Sequence, residues 1–465
     1  MTLLDPVWRP QPFRNVISGG RSDTSTWQHP LHERALGLDE TTFQALLRHD
    51  NGSGGSSLMY EWMQDALDDL ADANDTARAQ AQAFGSMMDV IKQLPAWRAG
   101  DIQNQAPLYS GRTQPREASG VPGRKWEQVE AFTRLVPDGS NPIVDWCSGK
   151  GHLARWMHTS SSTCGRNYRG VGGRQVHCLE INPNLCRSGE ELTQKQRSIQ
   201  PNGVLFYEHD VLSDSLPSNL QGADYTYTAL HACGELHRTA LVSAAAQQAK
   251  TVVVVPCCYE KHFSSNASNL DEASRDRAFQ PLSVVAKERS SLLITRDDLF
   301  LAVADGVVTA SVKEAKMREK EMAWRLAFKL WWKDVDITDS AAFLEYTVPS
   351  APNRLLVEDD FALFLRHCIT SKGRSSAARK RLEPALDAAL SNRRNLEEYA
   401  ARGEVLRMEV ERLELVRRVF QRPFELWLTA DYGLFLEENG YEVDMLQLCD
   451  RSITPRNIAI VAQRS

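Results

Sequence analysis

The 465-residue chain lacks any apolar run approaching the ~20 residues needed to cross a bilayer. Its opening MTLLDPVWRPQPF has neither the basic n-region nor the apolar h-region of a secretory signal. A cytoplasmic location without membrane association is the expectation. An excess of positive charge is also missing. Lys and Arg number 54 against 60 Asp and Glu, a net charge of -6, so any nucleic-acid contact must come from local patches rather than the overall field. No internal repeat is present. The nine cysteines follow no familiar zinc spacing, and without a secretion signal they are expected as free thiols. What remains is an ordinary globular composition, 42% hydrophobic and 25% charged, on a chain long enough for two or three units.

The most informative segment is Ile143 to Ala154, IVDWCSGKGHLA. An apolar strand carries Asp145 near its end, and Gly149 and Gly151 then open a helix. Glycine belongs there because a Cβ would keep the backbone N–H groups away from a ligand, while the helix directs its positive end at whatever binds. The pattern G-x-G-x-x-A also satisfies the dinucleotide fingerprint, so this loop alone leaves a nicotinamide or flavin enzyme open. Next, VHCLEIN (Val176 to Asn182) reads as a strand ending in Glu180, placed to accept hydrogen bonds from two ribose hydroxyls. The gap between the two exceeds the roughly 20 residues of a dinucleotide unit. FYEHDVL (Phe206 to Leu212) puts Asp210 after a third apolar run.

The spacing D-x-x-x-G-x-G from Asp145 to Gly151 resembles the first motif of class I S-adenosyl-L-methionine (SAM) methyltransferases. That resemblance implies Asp145 near the methionine end of the cofactor, Glu180 on its ribose and Asp210 near its adenine amino group. Two further motifs, ALHACGEL (Ala229 to Leu236) and VVVVPCCYEKHF (Val252 to Phe263), resemble the paired HxCG and CCY or CCH motifs of a group that includes eukaryotic tRNA acceptor-stem ribose methyltransferases. RKWEQVEAF, with Lys125 and Glu127, is similar to that group's lead-in helix, and ITPRNIAIVA to its closing strand. Residues 124 to 262 and about 424 to 463 carry the likeness. Where the tRNA enzymes have a lysine before the histidine, this chain has Leu230. The resemblance places His231, Cys233, Gly234, Pro256, Cys257, Cys258 and Tyr259 on the acceptor side.

Several chemistries stay open for these residues. His231 can act as a general base on a substrate hydroxyl or amine, or be a buried histidine bonded to backbone. Cys233, Cys257 and Cys258 are expected as small core residues. Pro256-Cys257 distantly resembles the nucleophilic cysteine of pyrimidine C5 methylation. Together with His231 and His262 the three cysteines also offer soft ligands for zinc, but no metal is expected, because H-x-E with P-C-x-x-C is replaced by His-Ala-Cys and Pro-Cys-Cys.

Strands are expected at 143–147, 176–180, 204–207, 225–230 and 251–255, then a helix over Glu425 to Glu438 and strands over Glu442 to Cys449 and Ile458 to Ala462. The pattern is doubly wound α/β, and the resemblance implies a Rossmann-like class I methyltransferase fold with a mostly parallel seven-stranded sheet. Residues 1–123 read as a helical N-terminal domain with NGSGGSS, 51 to 57, as a turn, and Arg112 and Arg116 lie in a segment expected near the cofactor mouth. Residues 124–263 and 424–465 form the core, and 264–423 a mainly helical insertion between strands five and six. The insertion emerges at the ligand-binding edge and is the candidate recognition element for RNA, through Lys313 to Lys333 with Trp324, Phe328, Trp331 and Trp332, and through Ser371 to Arg381. The same ring-bearing helix can equally pack its rings inward and leave its charges in water. The expected activity is SAM-dependent methyl transfer to a macromolecule, RNA first. A protein acceptor, a noncatalytic scaffold and a nicotinamide dehydrogenase are the alternatives.

Overall fold

The computed structural model describes residues 4–8, 29–49, 57–93, 121, 123–137, 139–163, 173–213, 215–222, 224–262, 279–292, 294–303, 312–335, 348–370, 376–450 and 453–464. The arginines 112 and 116, residues 51–56, the side chain of His262 and the side chains of Ser371 to Arg381 lie outside the described residues.

The sheet consists of β1 (Ile143–Trp146), β2 (Val176–Glu180), β3 (Val204–Glu208), β4 (Thr226–Cys233), β5 (Thr251–Cys257), β6 (Tyr441–Gln447) and β7 (Ile458–Arg464). Their spatial order is β3-β2-β1-β4-β5-β7-β6. The first five strands are parallel, and β7 runs antiparallel between β5 and β6. This is the class I methyltransferase fold that the motifs implied. The strands were legible because β1, β2 and β5 are buried at every position and so read as apolar runs rather than alternations. β4 continues three residues beyond its expected end, to Cys233, through an irregularity between Leu230 and Cys233.

Helices preceding the sheet are α1 (Asp5–Trp8), α2 (Pro30–Leu36), α3 (Glu40–His49), α4 (Ser57–Ala71), α5 (Asp75–Gln93) and α6 (Gly123–Leu135). Between strands lie α7 (His152–Thr163), α8 (Pro183–Lys195) and α9 (Glu235–Ala246). After β5 come α10 (Val284–Arg289), α11 (Arg296–Ala302), α12 (Val312–Val335), α13 (Asn353–Glu358), α14 (Phe361–Thr370), α15 (Ser376–Ser391), α16 (Arg393–Arg418) and α17 (Gln421–Glu438).

One face of the sheet shares a continuous apolar core with the N-terminal helices, through α17. Trp8 meets Phe424 with ring centroids 5.6 Å apart, and Phe84 meets Phe420 edge-on at 5.8 Å. The other face packs against α6 and α7, where Trp126 and Trp156 meet edge-to-face at 4.6 Å.

The inserted helices α12 to α16 have a core of their own. Trp324, Phe328, Trp331 and Trp332 are buried in it, so the offer of these rings to bases is corrected: they hold the helices together. Lys329 is buried against Trp332, its Nζ 5.3 Å from the ring centroid, and Lys320 pairs with Asp359 at 2.8 Å. On the exposed first turns of α12, Lys313, Lys316 and Arg318 remain, interleaved with Glu314 and Glu319. Asn392 separates α15 from α16 and caps the latter by accepting a hydrogen bond from the Asn395 amide at 3.2 Å.

Candidate active site

The strand order reverses between β1 and β4, and in open α/β sheets the crevice outside the carboxyl ends at such a point takes ligands. At the end of β1, Cys147 has φ 56, Gly149 φ 59 and Gly151 φ 67. A Cβ on Gly151 would stand 2.6 Å from Cζ of Phe206, so this glycine is required by both backbone and packing. Nothing lies within 4 Å of where a Cβ on Gly149 would be, which leaves that stretch of loop open.

Glu180, at the end of β2, is fixed by this loop. Its Oε2 accepts a hydrogen bond from the Gly149 amide at 2.9 Å, and its Oε1 accepts one from Asn182 N at 2.9 Å. Asp145 is buried and its Oδ2 has no hydrogen-bond partner among the described residues. Burial raises its pKa to about 7, opposed by a hydrogen bond from Thr228 and aided by the charge of Glu180. Asp210 takes a different role from that pair. Its Oδ1 accepts from Leu212 N at 3.0 Å and its Oδ2 from the Ser213 hydroxyl at 2.6 Å, which lower its pKa and cap the turn after β3.

Glu180 and Asp210 line a cleft of about 310 Å³ together with Cys147, Leu179, Ile181, His209, Val211, Leu212, Cys233, Glu235, Leu236 and Lys261. Cys147, His209, Glu235 and Lys261 had not been singled out from the sequence. His209 is buried and its Nε2 has no partner among the described residues, and its only sequence signal is adjacency to Asp210 at a strand end. Burial, with Glu180 and Asp145 nearby, pushes the Cys147 thiol far up, so it stays protonated.

At the ends of β4 and β5 the backbone turns left-handed again, at His231 (φ 67) and Cys258 (φ 49). Such non-glycine residues cost of order 1–3 kcal/mol each and collect at functional sites. His231 is exposed and is not among the residues lining the cleft. Desolvation and the cations Lys125 and Arg456 hold its pKa down to about 4, so the imidazole is neutral at pH 7. The buried Gly234 (φ 60) donates its amide to Cys257 O at 3.0 Å and ties β4 to β5. Cys233, Cys257 and Cys258 bring their sulfurs within 4.8 Å of one another, with Cys233 and Cys257 3.6 Å apart. Pro256 is buried within β5. Tyr259 departs from the acceptor-side expectation. It is 1% exposed, its hydroxyl is 3.0 Å from Thr429 Oγ1, and its ring packs against His237 and Tyr432, so it belongs to the core.

Among the described residues no helix is long and apolar enough to cross a membrane. A family model described as a methyltransferase domain matches residues 124–263. No curated protein matches the chain. Among solved structures, the CcbJ methyltransferase of Streptomyces caelestis is similar at 14% identity over 30% of this chain and 51% of that one, with a TM-score of 0.20. This chain thus spans about half of CcbJ. The 23S rRNA methyltransferase ErmE is similar at 13% identity over 62% of this chain and 98% of its own, TM-score 0.21. The cyclopropane synthase MmaA2 of Mycobacterium tuberculosis is similar at 10% identity over 73% and 82%, TM-score 0.22.

Proposed function

We propose that the protein binds S-adenosyl-L-methionine in the cleft beside β1 and β2 and transfers its methyl group to an RNA acceptor, tRNA or rRNA. The observation that carries this reading is the Glu180 carboxylate, held by the Gly149 amide at the mouth of the cleft. Two oxygens fixed by backbone donors keep further lone pairs for a ribose diol. The site also fits the rest of the cofactor. The unpartnered Asp145 Oδ2 suits an ammonium group, and the open face of Gly149 leaves room for close approach. Ile181, Val211 and Leu212 supply apolar walls for a purine, with Asp210 at their edge.

SAM supplies an electrophilic methyl on a sulfonium centre. The chain must then orient the acceptor in line and remove its proton. Cys233, Glu235 and Lys261 line the cleft on the acceptor side, and neutral His231 stands at the same strand end as a candidate base. The antiparallel β7 between β5 and β6 differs from the 3-2-1-4-5-6 order of dinucleotide enzymes, which disfavours a dehydrogenase. The intact glycine loop disfavours a relic scaffold. Support for RNA comes from the HxCG and PCCY motifs and from Lys313, Lys316 and Arg318 exposed on the insertion.

Calorimetry with SAM, S-adenosylhomocysteine and NAD on wild type and Asp145→Ala tests the cofactor. Micromolar binding of the adenosyl compounds alone, lost in the variant, is expected. No binding by folded protein would favour the scaffold. Labelled SAM with total RNA and with ribosomal protein then tests the acceptor, and label confined to protein would remove the RNA assignment.

A further inference from the structure

The geometry points to a metal site at the ends of β4 and β5: we propose that Cys233, Cys257 and Cys258 bind one thiophilic divalent ion of the zinc class, with a fourth position open to the cleft.

Three features of the backbone bring these sulfurs together. Consecutive residues of a strand point to opposite faces, so adjacent cysteines would ordinarily diverge. The left-handed turn at Cys258, φ 49, breaks that alternation directly after Cys257. On β4, the irregularity between Leu230 and Cys233, with His231 at φ 67, sets Cys233 opposite Cys257 as its strand partner. The result is a group of three sulfurs within 4.8 Å of one another, drawn from two strands.

The distances suit a shared ion. Sulfurs about 2.3 Å from one tetrahedral zinc lie roughly 3.8 Å apart. Cys233 and Cys257 stand at 3.6 Å. An apolar cluster would be sealed, yet Cys233 and Cys258 are only half-buried, and Cys233 and Lys261 line the cleft. The surroundings also suit thiolates. The cationic side chains of Arg456 and Lys261 act on Cys258. Three thiolates around a divalent ion carry one net negative charge, which either of those cations can offset. Three protein ligands with one vacancy are the pattern of zinc sites that take part in chemistry, whereas structural sites are closed by four. No familiar spacing announces the site because its ligands converge through backbone turns rather than through a C-x-x-C loop.

The test uses the full chain, with metal content measured by plasma mass spectrometry and with Zn²⁺ and Co²⁺ added to the metal-free, reduced protein. About one ion per chain is expected, and Co²⁺ should give thiolate charge-transfer bands with tetrahedral d–d absorption. Cys258→Ser should weaken uptake by more than the roughly 10- to 100-fold that loss of an outer-shell partner causes. Cys449→Ser, outside the cluster, should leave it unchanged. Melting curves and circular dichroism establish that each variant is folded. Folded, reduced wild type that takes up neither ion would overturn the proposal. So would uptake equal to wild type in Cys233→Ser, Cys257→Ser and Cys258→Ser alike. Metal uptake is read independently of SAM binding, so failure of either reading leaves the other standing.

Discussion

The Glu180 carboxylate accepts a hydrogen bond from the backbone amide of Gly149 at 2.9 Å, joining the end of β2 to the loop after β1. The acid expected to hold a ribose is therefore also what holds the loop. Glu180→Ala leaves the amides of Gly149 and Asn182 without their acceptor. A cost of roughly 1–3 kcal/mol is expected in chemical denaturation. Glu180→Gln keeps one acceptor oxygen and should retain more of that stability. Both variants should lose more than about tenfold in adenosyl affinity by calorimetry. A Glu180→Ala protein with wild-type affinity would remove the ribose role.

Asp145 sets a pH dependence with a definite sign. The folded protein holds its proton to about pH 7, whereas an unfolded chain holds it only to about pH 4. The stabilisation is fully present below pH ~4 and is lost as pH rises through 7. Asp145→Asn removes that dependence, so the variant should gain on wild type by some kcal/mol between pH 5 and pH 8 in urea titrations. If Asp145 meets the cofactor's ammonium as a carboxylate, wild-type affinity should rise with pH across the same window, by up to about tenfold per unit.

Gly151 and Gly189 both pack against the Phe206 ring. Gly151→Ala meets both the ring and a φ of 67, and a loss of roughly 1–3 kcal/mol is expected. Gly189→Ala meets the ring and, at 3.1 Å, the Lys150 carbonyl, but its helical backbone carries no positive φ. Adding Phe206→Leu should therefore rescue Gly189→Ala more fully than Gly151→Ala in thermal melts. Equal rescue would mean that backbone conformation at Gly151 contributes little.

Lys313, Lys316 and Arg318 carry the RNA reading into measurement. Replacing all three by Ala leaves the buried rings of α12 in place, so the melting temperature should hardly move. Affinity for RNA should fall, and the dependence of log K on log salt should flatten by about two, as for loss of three phosphate contacts. An unchanged salt slope would remove this helix from the interface.

How far the sequence discloses this arrangement depends on what each feature rests upon. Asp145, Gly149, Gly151 and Glu180 were legible because strand ends and a glycine turn fix where a side chain or amide can point. The sheet was legible because fully buried strands read as apolar runs, as in VVVV before Pro256. The ring-bearing helix was ambiguous, since Lys and aromatic residues interleave the same way whether the rings face bases or a core. Tyr259 follows a motif from the acceptor side but turns inward to Thr429, a contact made 170 residues away. The meeting of three thiols rests on left-handed turns at His231 and Cys258, and no spacing in the chain announces a positive φ at residues other than glycine.

The place of β7 has a consequence for how the molecule is made. It lies between β5 and β6, pairing Val253 with Val461, although the whole helical insertion separates the two in the chain. Until β7 emerges from the ribosome, the flank of TVVVVPC presents unpaired amides and carbonyls on an apolar, uncharged ribbon, the kind of surface on which chains pair wrongly. Helices with a core of their own can form in that interval, since their contacts are nearer in sequence. Synthesis thus holds open an adhesive edge for the time it takes to translate the insertion.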